Sequence, residues 1–495
     1  MKTRTLIVLA LCLVALHTLT NGRYGFHRDE LATLDDARHL ACGYVAYPPV
    51  TPLIGRLELV LFGTSLAGFR FFAAVAQGLV LVLTGLMARA LGGGRLAQIV
   101  AALAAAIAPV ALGSGALFQY VAFDYLWWVS AAYCMIRLLQ SEDPRWWLAI
   151  GAAIGLGMMT KYTMVFLAAG IVAGVLLTGG RRYLRSGWLW CGVALSLLIF
   201  LPNLVWQVQH RFISLDFLAS IHARDIRIGR TGNFLSHQFL VGANIFTVPL
   251  WLAGLFYFFR TLGGKRYRAV GWMYVVPLVL FVITKGRDYY MAPAYPMLFA
   301  AGALVEERWL ASLRGRWAGL MKGVTWSALA AGGAIAAALI LPLAPVNSPW
   351  WNAASAVNGD LKEEIGWPEL VETVARIRDS LPVEDRARLG ILAGNYGEAG
   401  AINLYGPKYG LPEAISGINS YWLRGYGNPP PETLIVVGLS RQSAERAFEF
   451  CELAGHISNR YGVKNEETTE HPDIFVCRRL RLPWPEFWQK FRYYG

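Results

Sequence analysis

The sequence predicts an α-helical polytopic membrane protein of about eleven transmembrane helices, closed by a small extracytoplasmic α/β domain. Three observations lead there. Of 495 residues, 56% are hydrophobic and 16% charged, with a mean hydropathy of +0.42, well away from the composition of soluble domains. Apolar stretches near 5–20, 66–88, 96–116, 121–140, 146–160, 163–179, 187–206, 238–259, 269–284, 290–306 and 323–343 approach the roughly 20 residues that carry a helix across a bilayer. After Pro345 the composition becomes that of a soluble domain.

The spans are oriented by their short loops. Lys2 and Arg4, Arg89 and Arg95, Arg137 and Arg145, Arg181, Arg182 and Arg185, the Arg260–Arg268 cluster, and Arg308, Arg314, Arg316 and Lys322 fall on one side, which the positive-inside rule makes cytoplasmic. The net charge of +13 is thus spread over anchor clusters, and no basic face or RNA-binding motif points to nucleic acid. The first stretch, preceded by Lys2 and Arg4, resembles a signal peptide but is followed by no small-x-small site, so it is read as an uncleaved span. The 146–179 hairpin is short enough to be re-entrant.

Residues 1–344 then form the membrane domain and 345–495 the soluble one. In the latter, GILAGNYGEAGAINLYG reads as strand, turn and helix, TLIVVGLS as a strand, SAERAFEFCEL as an amphipathic helix and DIFVCRRL as a final strand. Cys451 and Cys477 lie on the oxidising side, where a disulfide is permitted. Cys12, Cys134 and Cys191 sit in apolar spans as small core residues.

Every chemically loaded segment falls on the external face. The first external loop, 21–65, holds YGFHRDELATLDDARHLACGYVAYPPVTP. Its Leu31, Leu34, Ala37, Leu40 and Ala41 recur at helical spacing, which predicts an amphipathic helix on the membrane surface with Asp29 and Glu30 in its first turn. Pro48 and Pro49 are expected to end that helix. A carboxylate where membrane meets water suits a general base, although helix N-terminal charges would be placed alike. Asp124, near the start of the fourth span, is an intramembrane carboxylate and therefore a further catalytic candidate, or the partner of an interhelical cation. Lys161, Lys285 and Arg287 are cations on the side where cations are scarce, and such side chains suit a phosphate. Snorkelling of Lys161 and pairing of the loop cations with Asp288 are the competing explanations. Arg28 and the Tyr289–Tyr290 pair are further site candidates, the tyrosines equally fitting an interfacial belt. The Gly92–Gly94 run is a turn without the phosphate-loop pattern, and GNYGEAG carries only part of a nucleotide-binding fingerprint. No metal-ligand spacing is visible, so a divalent cation is admitted but has no assigned ligands.

HRDE in the first external loop, YPPVTPL, TKYT, PNLVWQVQH and KGRDYYMAPAYPMLFAAGA together resemble the bacterial integral-membrane glycosyltransferases of the GT-C fold. Among these, the group related to the dolichyl-phosphate-mannose protein mannosyltransferases and the lipid A aminoarabinose transferase is the nearest. The likeness spans about 5–345 and continues into GNYGEAGAINLYG and ISGINSYW. It implies inverting transfer of a sugar from a polyprenyl-phosphate lipid donor to a protein, lipid or envelope-glycan acceptor outside the cell membrane. It also implies Asp29 as base beside Glu30, and Lys161, Lys285 and Arg287 on the donor phosphate. A secondary transporter or a non-catalytic envelope-assembly protein are the rival readings; the absence of a repeat and the crowding of charge on one face count against the transporter.

Overall fold

The computed structural model describes residues 3–495; Met1 and Lys2, the latter one of the expected cytoplasmic anchors, lie outside the described residues. Helices lie along each of the eleven apolar stretches, yet their lengths differ from a count of eleven independent spans. Among the described residues four helices are long and apolar enough alone to cross a membrane: Phe71–Ala90, Gly187–Gln209, Lys265–Ile283 and Arg316–Ile340. Three bent pairs raise the number to seven. The 96–116 stretch bends by 63° between Arg95–Ala106 and Pro109–Ala116, where the proline withholds a backbone donor. The second member of the 146–179 hairpin, Met164–Leu177, turns 102° into Gly179–Arg185, and Phe234–Gly242 meets Ile245–Arg260 at 90°. Arg4–Thr20 and Trp146–Met158 are apolar but shorter.

The C-terminal region, expected to be a soluble domain, is built on a five-stranded sheet of order β2-β1-β3-β5-β4, with β1 Leu389–Ala393, β2 Ala414–Ile415, β3 Thr433–Val437, β4 Phe448–His456 and β5 Asp473–Leu480. β1 pairs in parallel with β2 and β3, and β5 runs antiparallel to β3 and β4. The expected SAERAFEFCEL helix stops at Ala447, and FEFCEL continues as β4. Pairing with β5 overrides the local helical pattern, because alternate residues of this edge strand find cross-strand partners. One of those pairs is the Cys451–Cys477 disulfide. The bridge closes a 26-residue separation, so reduction, or replacement of both cysteines by serine, should cost about 3 kcal/mol through loop-closure entropy in the unfolded chain. Chemical denaturation with and without reductant measures it.

The first-loop helix runs from Arg28 to Arg38 and does not lie on a lipid surface. Leu31, Leu34 and Ala37 are fully buried. Leu31 and Leu34 join one apolar core with Phe69, Phe118 and Phe123 of the membrane domain and Trp367, Ile391, Ile402 and Val437 of the soluble domain. The amphipathic face expected for lipid is therefore used as the mortar between two domains, since burial against protein on both sides removes more apolar surface from water. Gly397 and Gly400 of the Tyr396–Tyr405 helix make that approach possible: a Cβ on Gly400 would meet the Leu31 backbone at 2.7 Å, and one on Gly397 would meet the Arg28 Cβ at 2.9 Å. The helix ends ten residues before the prolines. Pro49 instead caps the N-terminus of the next helix, Val50–Phe62, where a fixed φ is compatible with helix initiation.

Candidate active site

Between the bundle and the soluble domain lies a cavity of about 2090 Å³. Arg28, Asp29, Lys161, Lys285, Arg287, Tyr289 and Tyr290 line it, whereas Glu30 and Asp124 do not. His27 caps the Arg28–Arg38 helix, its Nδ1 accepting from the Asp29 amide at 3.2 Å. The first turn therefore points successive side chains in different directions. Asp29 opens to the cavity with its side chain 43% exposed. Its Oδ1 accepts from the Tyr396 hydroxyl at 2.8 Å and its Oδ2 from the Gln119 amide at 3.1 Å.

Glu30 turns inward and is completely buried. Its carboxylate accepts from Arg70 Nε at 2.7 Å and Nη2 at 2.6 Å, from the Phe118 amide at 2.7 Å, and from its own capping partner, the His27 amide, at 2.8 Å. Arg70 also reaches the Asn21 and Gly25 carbonyls and Glu364. Glu30 is thus corrected from catalytic candidate to a supporting residue that orients the loop and a basic neighbour, Arg70: every lone-pair direction it offers is occupied and it does not line the cavity. Burial, reinforced by the Glu30 charge, pushes the Glu364 carboxyl up to about 7 against the opposing pull of Arg70.

At the other end of the helix, Arg424 of the soluble domain grips Asp35 and Asp36, at 2.5 Å to the latter. Tyr47 donates to Asp36 at 2.6 Å. Burial still pushes the Asp36 carboxyl up to about 6, with Arg424 and the Tyr47 hydroxyl acting the other way.

Lys161 occupies the turn between Trp146–Met158 and Met164–Leu177. Its Nζ sits 4.1 Å from the Tyr290 ring centroid, 4.9 Å from Tyr289 and 5.3 Å from Tyr120. The side chain is 10% exposed, so it does not snorkel; the tyrosines form a cation–π cage rather than a membrane belt. Asp124 stands behind it, 3.9 Å from Nζ, off the cavity wall. That placement corrects Asp124 from catalytic candidate to the partner of an interhelical cation, because its buried carboxylate faces Lys161 and does not line the cavity.

Arg287 is held by Asp225, Nε to Oδ2 at 2.5 Å and Nη2 to Oδ1 at 3.1 Å, not by the neighbouring Asp288. Asp288 instead takes His237 Nδ1 at 2.5 Å. Lys285 is exposed with φ +50° and among the described residues it makes no ion pair. Arg28 is gripped by Glu466 of the soluble domain and stacks over Tyr396 at 5.1 Å, so it braces the site. The Gly-rich GNYGEAG turn offers no phosphate cradle: Glu398 takes the Gly394 and Asn395 amides at 3.2 and 3.1 Å. Among the described residues no group of three or more His, Cys, Asp or Glu side chains is gathered to hold a metal ion.

Tyr120, Gln119, Asp225 and Tyr396 escaped the sequence reading. The one available signal was position: Gln119 and Tyr120 close an external loop, and Asp225 is an acid among arginines in another. Tyr396 lies in the GNYGEAG turn that the sequence singles out, but nothing local marks its hydroxyl as a partner of Asp29, 367 residues away in the chain.

The fold is shared with a solved membrane protein. ArnT from Cupriavidus metallidurans superposes with a TM-score of 0.62 in its undecaprenyl-phosphate complex, at 14% identity over 95% of this chain and 97% of that one. The apo form gives 0.58 at 15% identity over the same shares. The family model of the dolichyl-phosphate-mannose-protein mannosyltransferases matches residues 46–206. The chain shares the fold of ArnT and, over 46–206, matches the model of this mannosyltransferase family. The lipid A galacturonosyltransferase RgtD of Rhizobium johnstonii is 28% identical over 214 residues, a match that covers 40% of this chain and 40% of RgtD. The family match takes in Asp124 and Lys161 but not Asp29, so the carboxylate rests on the geometry of the cavity.

Proposed function

We propose that the protein transfers a sugar from a polyprenyl-phosphate carrier to an acceptor at the extracytoplasmic face of the inner membrane, with inversion at the anomeric carbon. The observation that carries this reading is a single cavity into which an exposed carboxylate, Asp29, and a buried cation, Lys161, both open. The match to a mannosyltransferase family and the fold shared with an undecaprenyl-phosphate-bound ArnT support the carrier. RgtD, a lipid A galacturonosyltransferase, supports a lipid acceptor.

In this reading Asp29 takes the proton of the acceptor hydroxyl as its oxygen attacks the anomeric carbon. The bond from that carbon to the phosphate oxygen breaks on the opposite face, and its electron pair stays on the phosphate. Lys161 neutralises the departing polyprenyl phosphate from its tyrosine cage, joined by Lys285 and by the Arg287 nitrogen that Asp225 leaves free. The apolar wall of the cavity, including Val110, Leu117, Ile335 and Leu339, suits an isoprenoid chain.

The test is transfer by purified protein in nanodiscs from synthetic undecaprenyl-phosphate sugars to lipid A, followed by mass spectrometry. The expected result is an acceptor heavier by one sugar residue with release of undecaprenyl phosphate. A protein that binds no undecaprenyl phosphate overturns the reading. Lys161→Gln should weaken undecaprenyl-phosphate binding by about 10- to 100-fold, the worth of one charge-assisted hydrogen bond, as read by titration of the lipid. Equal affinity in the Lys161, Lys285 and Arg287 variants would remove the clamp. A periplasm-active reporter fused after Gly495 should be active; activity only of a cytoplasmic reporter reverses the orientation.

A further inference from the structure

The soluble domain touches the proposed base directly. Tyr396 is the first residue of the helix that follows β1, and its N-cap Asn395 closes a capping box with Glu398. That box, whose Glu398 carboxylate holds the Gly394 and Asn395 amides, fixes the first turn of the helix. Its ring supports the Arg28 guanidinium at 5.1 Å, and Arg28 is pinned from the far side by Glu466. From this braced position the hydroxyl donates to Asp29 Oδ1 at 2.8 Å. Gln119, from the membrane domain, donates to the other oxygen at 3.1 Å. The carboxylate, otherwise free to rotate at 43% exposure, is held between two donors from two domains. Burial and the Asp29 charge both raise the Tyr396 phenol far above its ordinary value, so it remains a donor throughout the physiological range.

Resting on the assignment of Asp29 as base, we infer that Tyr396 is a positioning residue of the reaction, aiming the carboxylate together with Gln119, and that the soluble domain is thereby part of the catalytic apparatus. Two donors fix the plane of the carboxylate and leave its remaining lone pairs toward the cavity, where the acceptor proton is taken. The Arg424 grip on Asp35 and Asp36 secures the opposite end of the same helix to the same domain. Base and soluble domain therefore move as one body, and the distance from base to acceptor is set by how that body docks on the bundle. Misplacement of a reacting group by about 1 Å costs on the order of 100-fold in rate.

The experiment compares Tyr396→Phe, which keeps the ring and its stacking on Arg28 but removes the hydroxyl, with wild type in the full-length protein. Steady-state transfer from a synthetic undecaprenyl-phosphate sugar, affinity for undecaprenyl phosphate and thermal melting are read together. Tyr396→Phe should lower kcat by about 10- to 100-fold with donor affinity and melting unchanged, and Gln119→Met should act in the same direction. In the Asp29→Asn background Tyr396→Phe should cost nothing further, because the group it positions is already disabled. Wild-type kcat in Tyr396→Phe, beside an inactive Asp29→Asn, overturns the positioning role and leaves the base standing. Full activity in Asp29→Asn overturns both. If Tyr396→Phe melts early, Gln119→Met, which lies in the other domain, decides: a kcat loss absent from the Asp29→Asn background supports the role, and wild-type kcat overturns it.

Discussion

Asp29→Asn should reduce transfer by about 10²- to 10⁴-fold, the usual contribution of a positioned general base, while undecaprenyl-phosphate binding and folding persist. The substitution is nearly isosteric, and an amide keeps an oxygen for the Tyr396 hydroxyl. What it removes is the ability to accept the acceptor proton. Single-turnover transfer, with lipid affinity measured alongside, separates this loss from a binding defect. Retention of near-wild-type transfer would dismiss Asp29 as base, and Asp124 would not replace it, because that carboxylate is buried against Lys161 and does not line the cavity.

Glu30→Gln should behave quite differently, although the two residues are adjacent. The glutamine leaves the completely buried Arg70 guanidinium without its bidentate counter-charge, and loss of one partner of such a pair costs about 3–5 kcal/mol. The figure should fall toward the lower end, since Glu364 remains 3.2 Å from Arg70 Nη2. Because Arg70 also holds the Asn21 and Gly25 carbonyls, the damage spreads to the entry of the first external loop. Denaturant or thermal unfolding of the purified protein should show the loss, and any fall in transfer should track the unfolded fraction. A normally stable Glu30→Gln protein with transfer abolished would place Glu30 back in the chemistry. Pairing Glu30→Gln with Arg70→Met should recover stability only in part, because the buried Glu364 carboxylate and the Asn21 and Gly25 carbonyls then lose Arg70 as well.

The contrast between neighbours shows where the sequence reading reached its end. The HRDE stretch announced an acidic pair at a helix start, and a helix start is where it lies. Which acid faced the cavity depended on residues far away, Arg70 and Phe118 drawing one inward and Tyr396 and Gln119 holding the other at the surface. Likewise Lys161 was conspicuous as a cation on the wrong side of the charge pattern, but its cage is assembled from Tyr120 and Tyr289–Tyr290, on two segments far apart in the chain. The tyrosines looked like a belt because aromatic residues near span ends usually are one.

By itself the sequence determined that long apolar stretches form helices, that a mixed α/β segment follows Pro345, and that the candidate acids and cations, Asp124 apart, lie in the segments between the long apolar stretches. These are properties of local composition and periodicity, and hydropathy reads them directly. Tertiary structure alone decided the rest: that the first-loop helix is sealed between two domains instead of floating on lipid, that FEFCEL is a strand, that Glu30 and Asp124 are counter-ions, and that a tyrosine of the soluble domain reaches Asp29. Each of these turns on a contact between residues distant in the chain, where burial and charge compensation outweigh local preference.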